Sequence, residues 1–104
     1  MIHVSVLYPN QVNVHFDFDY FCKRHIELVR ECLGKACKAI AVNQGVCDMS
    51  GEAAPFVVIG QLYFDSTEAF QRSFAPHAER IMADIANFTD SRPLIQISNV
   101  ELVP

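Results

Sequence analysis

Nothing in the sequence supplies the closely spaced glycines with which a backbone cradles a phosphate or a dinucleotide, and no nucleophile elbow is present. Positive charge is also thin. Eight lysines and arginines against twelve acids give a net charge of −4, whereas a nucleic-acid binder needs clustered Lys and Arg. No apolar run approaches the roughly 20 residues a bilayer demands. The opening run from Ile2 to Tyr8 stops at Pro9, and the longest uncharged hydrophobic stretch is Ala53 to Phe64. The first Lys or Arg is Lys23, so the basic start of a signal peptide is missing and a cytoplasmic chain is expected. Cysteine is sparse and unpaired in spacing. Cys22, Cys32, Cys37 and Cys47 form no Cys-x-x-Cys, the arrangement that brings two sulfurs to one metal or redox point, so four small buried thiols are expected. Neither His-x-x-x-His nor Glu-x-x-His occurs, and no metal is expected.

What is there is a chain that folds. With 51% apolar and 19% charged residues it lies far from disordered composition. Its 104 residues suit one domain spanning 1–104. Six elements follow in the order strand, helix, strand, strand, helix, strand. The first strand is Ile2 to Tyr8, closed by Pro9-Asn10. A helix capped by Asp17 or Asp19 carries Phe18, Phe21, Cys22, Leu28, Val29, Cys32 and Leu33 on one stripe and ends at Gly34. Cys37 to Val42 reads as a strand that runs on toward Cys47, before a turn over Asp48 to Ala54. The strand from Phe56 to Phe64 is apolar on both faces and so should be covered on both sides. Asp65-Ser66-Thr67-Glu68 resembles a capping box, with Asp65 as the cap, and opens a helix carrying Ala69, Phe70 and Phe74 inward. Pro76 starts a further helical piece with Ile81, Met82 and Ile85, and Leu94 to Val100 is the last strand, with Ile95 and Ile97 on one face.

Two β-α-β halves of this kind make a ferredoxin-like α+β sandwich, with both helices on one face of a four-stranded antiparallel sheet. The second face of strand 56–64 is then bare and apolar. An exposed apolar sheet face of that size marks an interface, so self-association is expected.

Val6-Leu7-Tyr8-Pro9, the helix residues Lys23-Arg24-His25 followed by Leu28-Val29, and the run from Ile59 to Ser66 resemble the EthD family. So do Ala69-Phe70, Pro76-His77-Ala78 and Asn87-Phe88-Thr89-Asp90. The resemblance spans nearly the whole chain in order. It implies a dimeric α+β barrel, in a superfamily that holds lactone isomerases, cofactor-free quinone-forming monooxygenases, polyketide cyclases or dehydratases and haem-degrading enzymes. The family takes its name from ethyl tert-butyl ether degradation, where a member accompanies a haem monooxygenase system. Many members carry proline two residues after the helix histidine; this chain has Glu27.

His25 is the sharpest candidate for chemistry. At about 100° per residue it falls within roughly 10° of the centre of the apolar stripe. It is either a core histidine with one hydrogen bond or a general acid–base residue in an apolar cleft, kept neutral by burial. The resemblance places it in the family's motif. Tyr63 and Gln61 are polar residues on the Val57–Ile59 face of their strand. They satisfy themselves locally, or Tyr63 orients a substrate oxygen beside His25. Tyr8, at the end of the first strand, has the same two readings. Cys22 falls on the inward stripe three residues before His25, as a packed thiol or as half of a Cys–His pair. His77, at a helix start, is structural or lines the mouth of the cleft.

The function expected is thus a homodimer that binds a small hydrophobic compound, aromatic or polyketide-like. The step it catalyses would be cofactor-free: proton transfer, isomerisation, dehydration or oxygenation. The rival is a non-enzymatic accessory module for a monooxygenase partner, and a third reading has His25 as the axial ligand of a haem.

Overall fold

Alternating burial along Ile2–Pro9 (strand β1) sends Ile2, Val4 and Tyr8 to one side of a sheet, as the two-residue period of a strand requires. In a computed structural model describing residues 1–103, β1 lies inside a four-stranded sheet with Ala39–Gln44 (β2), Phe56–Phe64 (β3) and Leu94–Asn99 (β4). The order is β2-β3-β1-β4, and every neighbouring pair is antiparallel. The helical layer comprises α1 (residues 18–33), α2 (Thr67–Phe74) and α3 (Ala78–Asp84). A tight turn at Ala75–His77, with Pro76 near its start, joins α2 to α3. This is the expected ferredoxin-like α+β sandwich.

Two clusters fill the space between sheet and helices. Ile2, Val4 and Phe64 pack against Val29 and Leu33 of α1 and Ile81 of α3. At the other end Tyr8 and Val58 meet Phe21 and Phe88. The loop from Asn10 to Asp17 is not free. Phe16 forms a bridge with Thr89, Asp17 N donates to the Phe88 carbonyl (2.8 Å), and Thr89 Oγ1 donates to the His15 carbonyl (2.6 Å). Ser91 Oγ donates to the Pro9 carbonyl at 2.8 Å. Buried Thr89 and Ser91 are therefore satisfied, and they lock Phe88 into the sheet end.

Several boundaries differ from expectation for local reasons. Of the two candidate caps, Asp17 opens α1, its Oδ1 accepting from Tyr20 N at 3.0 Å. Ser66 rather than Asp65 caps α2, its Oγ accepting from Ala69 N at 3.1 Å. Asp65 stands one residue too early and faces Lys38 at 3.6 Å instead, and Glu68 makes no reciprocal bond among the described residues. Strand β2 starts at Ala39, not Cys37, because Gly34–Ala36 makes a tight turn that Cys37 N closes onto the Gly34 carbonyl.

The face turned away from the helices also departs from the expected apolar surface. Register sets three rows across it. Asn43, Ile59, Leu7 and Leu94 form one; Ala41, Gln61, Ser5 and Gln96 the second; Ala39, Tyr63, His3 and Ser98 the third. One end is hydrophobic and the other polar, because Tyr63 and Gln61 share their face with other polar residues of β1 and β4. On the helix face Ile95 and Ile97 lie beyond the helical cover and stay 48% and 41% exposed. The cysteines are free, but not the four buried thiols expected: Cys22 and Cys47 are exposed, Cys32 and Cys37 half-buried. No helix among the described residues is long and apolar enough to cross a membrane.

Phe88 has no exposed surface and touches Tyr8, Phe16, Phe21 and His25. Phe88→Ala should cost about 3–5 kcal/mol of stability in denaturant titration. A loss under about 1 kcal/mol would mean that this end of the core collapses freely around the gap.

Candidate functional site

The site begins with an irregularity in α1. Phe18–Tyr20 and Ile26–Leu33 are α-helical, but Phe21–His25 between them forms a π-helical turn. Buried residues follow every fourth position: Phe21, His25, Val29 and Leu33. A regular helix of 3.6 residues per turn would rotate such a series steadily off the sheet. The wider turn absorbs the extra residue, so Phe21 and His25 both point inward, and π turns of this kind are frequent at functional sites. The same turn carries Cys22 outward. The 3.6-residue period placed Cys22 beside His25, and the structure corrects this: Cys22 is exposed and forms no pair with the imidazole.

His25 is 5% exposed. Its ring lies between Phe21 (centroids 5.6 Å apart, nearly parallel) and Phe88 (4.7 Å). Its Nδ1 is 2.9 Å from Oδ2 of Asp84, at the end of α3. The other oxygen, Oδ1, accepts from the Tyr20 hydroxyl at 2.7 Å and from Asn87 Nδ2 at 2.9 Å. Burial lowers the His25 pKa, and the Asp84 hydrogen bond and charge only partly oppose this. For Asp84 burial works upward, but hydrogen bonds from Tyr20, Asn87 and His25 outweigh it and hold the carboxyl below its ordinary range. The pair is therefore a neutral imidazole against a carboxylate. A carboxylate only accepts, so Nδ1 carries the proton and Nε2 the lone pair, a tautomer assigned from the hydrogen bond. Nε2 hydrogen-bonds to no described residue.

Beside His25 lies a cavity of about 70 Å³ between helices and sheet, bordered by Tyr8, Phe21, Val29, Ile85 and Ile95 among others. No lysine, arginine or carboxylate borders it. At this size it holds one or a few waters; an apolar cavity of about 150 Å³ is one that takes benzene. An aromatic ring enters only if the walls part, and flexible Met82 and edge-strand Ile95 border the cavity where the helical cover ends.

The residues singled out in the sequence separate into two groups. His25 and Tyr8 border the same cavity. Tyr63 does not join them: it lies on the opposite face of the sheet, stacked on His3 with centroids 4.7 Å apart. A single strand alternates sides, and Leu62 and Phe64 take the helix side. Gln61 borders the cavity from β3, but its register sends its side chain to the open face with Tyr63. His77 is half-buried in the turn between α2 and α3 and does not border the cavity. Sequence reasoning missed Asp84, Tyr20 and Asn87. The available signal was a carboxylate inside an apolar stripe, since Asp84 falls between buried Ile81 and Phe88 at helical spacing. Among the described residues no three His, Cys, Asp or Glu gather as a metal site.

Comparison with known proteins sets this site in context. A family model described as the EthD domain matches residues 14–92. No curated protein matches the sequence. The chain is similar to an EthD-like protein from Ralstonia eutropha JMP134, at 38% identity over 97% of this chain and 92% of that one, with a TM-score of 0.92. It is also similar to an ethyl tert-butyl ether degradation (EthD) family protein from Bacillus halodurans C-125, at 20% identity over 96% and 98%, with a TM-score of 0.76. A protein from Arabidopsis thaliana shares the fold at 15% identity over 99% and 97%, with a TM-score of 0.68.

The His25–Asp84 pair fixes the sign of a pH dependence. Folded His25 binds its proton below the ordinary histidine value, so between the two values the unfolded chain holds more protons. The stability from keeping His25 neutral is complete above about pH 6.5 and is lost as the pH falls from there toward the folded value. Asp84 adds a further loss at lower pH, because its carboxyl is also shifted down. Melting temperature should therefore drop on acidification from about pH 7 to 5, and His25→Asn should flatten that window. An unchanged slope in the variant would assign the effect to other groups.

Proposed function

The chain belongs to the EthD family, and from that premise we propose that it binds a small hydrophobic compound, aromatic or polyketide-like, in the helix–sheet cavity and acts on it without a cofactor. His25 is the acid–base residue. The observation that carries this reading is an unpartnered imidazole Nε2 beside an apolar cavity, with its other nitrogen tied to a carboxylate at 2.9 Å. A neutral imidazole in such a setting accepts a proton, and Asp84 stabilises the imidazolium that forms. The reaction classes within reach are isomerisation, dehydration and oxygenation. The working unit is a homodimer joined through the open sheet face. The Ile59–Leu7–Leu94 end of that face supplies apolar contact, and Tyr63 and Gln61 serve the interface rather than the His25 cavity. Obligate interfaces of this type bury about 2,000 Å² or more in total.

A second reading is an accessory module for a monooxygenase partner. It is favoured by the small volume, about 70 Å³, and by the packing of His25 between two phenyl rings. Haem ligation by His25 does not fit, because the cavity that His25 borders, at about 70 Å³, is far smaller than the macrocycle.

Two measurements test the proposal. Light scattering at micromolar concentration should give twice the 11.7 kDa chain mass, and a monomer contradicts the dimer. Mass spectrometry of natively purified protein should identify the ligand. On that compound His25→Asn should lower turnover by about 10²–10⁴-fold while the protein stays folded. A fully active variant removes the acid–base role and leaves the accessory reading.

A further inference from the structure

The three rows of the open sheet face contain no lysine, arginine, aspartate or glutamate. All eight basic and all twelve acidic side chains lie elsewhere on a chain of net charge −4. A charged partner finds nothing to pair with on such a face. A second copy of the same acidic chain, in contrast, can meet it without setting like charges against each other. The exclusion of charge thus favours a self-complementary contact about a two-fold axis.

Histidine is the side chain that gains charge as the pH falls from about 8 to 5, and His3 is the only histidine in these rows. Its ring stacks on Tyr63 with centroids 4.7 Å apart, and it stands opposite Ser98 of β4. Its Nε2 is enclosed and has no hydrogen-bond partner, the one such side-chain atom among the described residues. Register places few ionisable groups around it. Tyr63 is the one on β3, β4 presents Ser98 and Gln96, and the Met1 amine stands before the start of β1. Past the strand ends lie Asp65, which faces Lys38 at 3.6 Å, and Glu101. Neither carboxylate forms an ion pair with His3 among the described residues.

A neutral imidazole can be covered by uncharged groups at little cost. An imidazolium cannot, because a covered cation needs a carboxylate or water. His3 is half-buried in the single chain, and a second copy laid on this face removes the solvent it keeps. We propose that His3 makes the homodimer pH-dependent: two chains join through the open sheet face while both His3 rings are neutral, and they separate when the rings take up protons. The proposal rests on the reading of that face as the dimer interface. Its sign follows from linkage. The separated chains bind more protons than the dimer, so acid drives dissociation, and two rings per dimer make the response steep.

The test is equilibrium sedimentation of the full chain at about pH 8 and about pH 5.5, the range in which histidine changes charge. Circular dichroism at each pH confirms that the chain is folded. The wild-type dissociation constant should rise about 10–100-fold between the two. His3→Gln keeps a neutral polar side chain and His3→Phe keeps the stack on Tyr63. Both should lose this dependence, and both retain His25, so any acid effect that runs through His25 persists in them. A wild-type dimer equally tight at both pH values overturns the switch and leaves the interface standing. Variants that dissociate in acid as the wild type does overturn the role of His3. A wild-type monomer at pH 8 overturns the interface and the switch with it. A readout without substitution is the proton NMR signal of the His3 ring, which should titrate together with dissociation. A ring that takes up its proton while the dimer persists overturns the proposal.

Discussion

The hydrogen bond between Nδ1 of His25 and Oδ2 of Asp84 ties α1 to α3 across 59 residues of chain, beside the bond from the Tyr20 hydroxyl to the same carboxylate. Much else follows from it. Asp84 could not remain an ion at this half-buried place alone, and Tyr20 and Asn87 complete its shell on the solvent side. Thus anchored, the carboxylate fixes one tautomer of His25 and leaves the other nitrogen without a partner among the described residues. Removing Asp84 would release the imidazole from that orientation as well as removing a charge.

The aromatic floor does the complementary task. Phe21 and Phe88 hold the imidazole plane, exclude water and keep the ring neutral. Phe88 is in turn held by Asp17 and by the hydrogen bonds of Thr89 and Ser91, which also fasten the loop after β1. The π turn in α1 is what lets Phe21 and His25 reach this floor together. Stability and reactivity here draw on the same contacts: a group kept neutral by burial contributes to folding above its titration window and is ready to accept a proton in that same range.

Most of the fold was legible in the sequence because its signals are local. Strand alternation in β1, the Gly34 stop, and Pro76 at a helix start act over a few residues. The inward position of His25 was legible too, as a polar residue on an apolar stripe. Cys22 was misjudged because a uniform 3.6-residue period cannot show an inserted π turn. Asp65 was chosen over Ser66 because both can cap, and only the path of the chain decides which one faces the free N–H groups. The pairing of His25 with Asp84 was invisible because it depends on how two helices, distant in sequence, settle on one sheet. Tyr63 was grouped with His25 because strand alternation alone does not say which face the helices cover.

The most direct test of this account is NMR of the imidazole nitrogens of His25 in the folded protein at neutral pH. The account predicts a neutral ring in the Nδ1–H tautomer, with the Nε2 signal at the position of an unprotonated nitrogen and the Nδ1 proton slow to exchange. An Nε2–H tautomer, or an imidazolium at neutral pH, would contradict it: in either case Nε2 would carry no lone pair to accept a proton, and His25 would be a structural histidine.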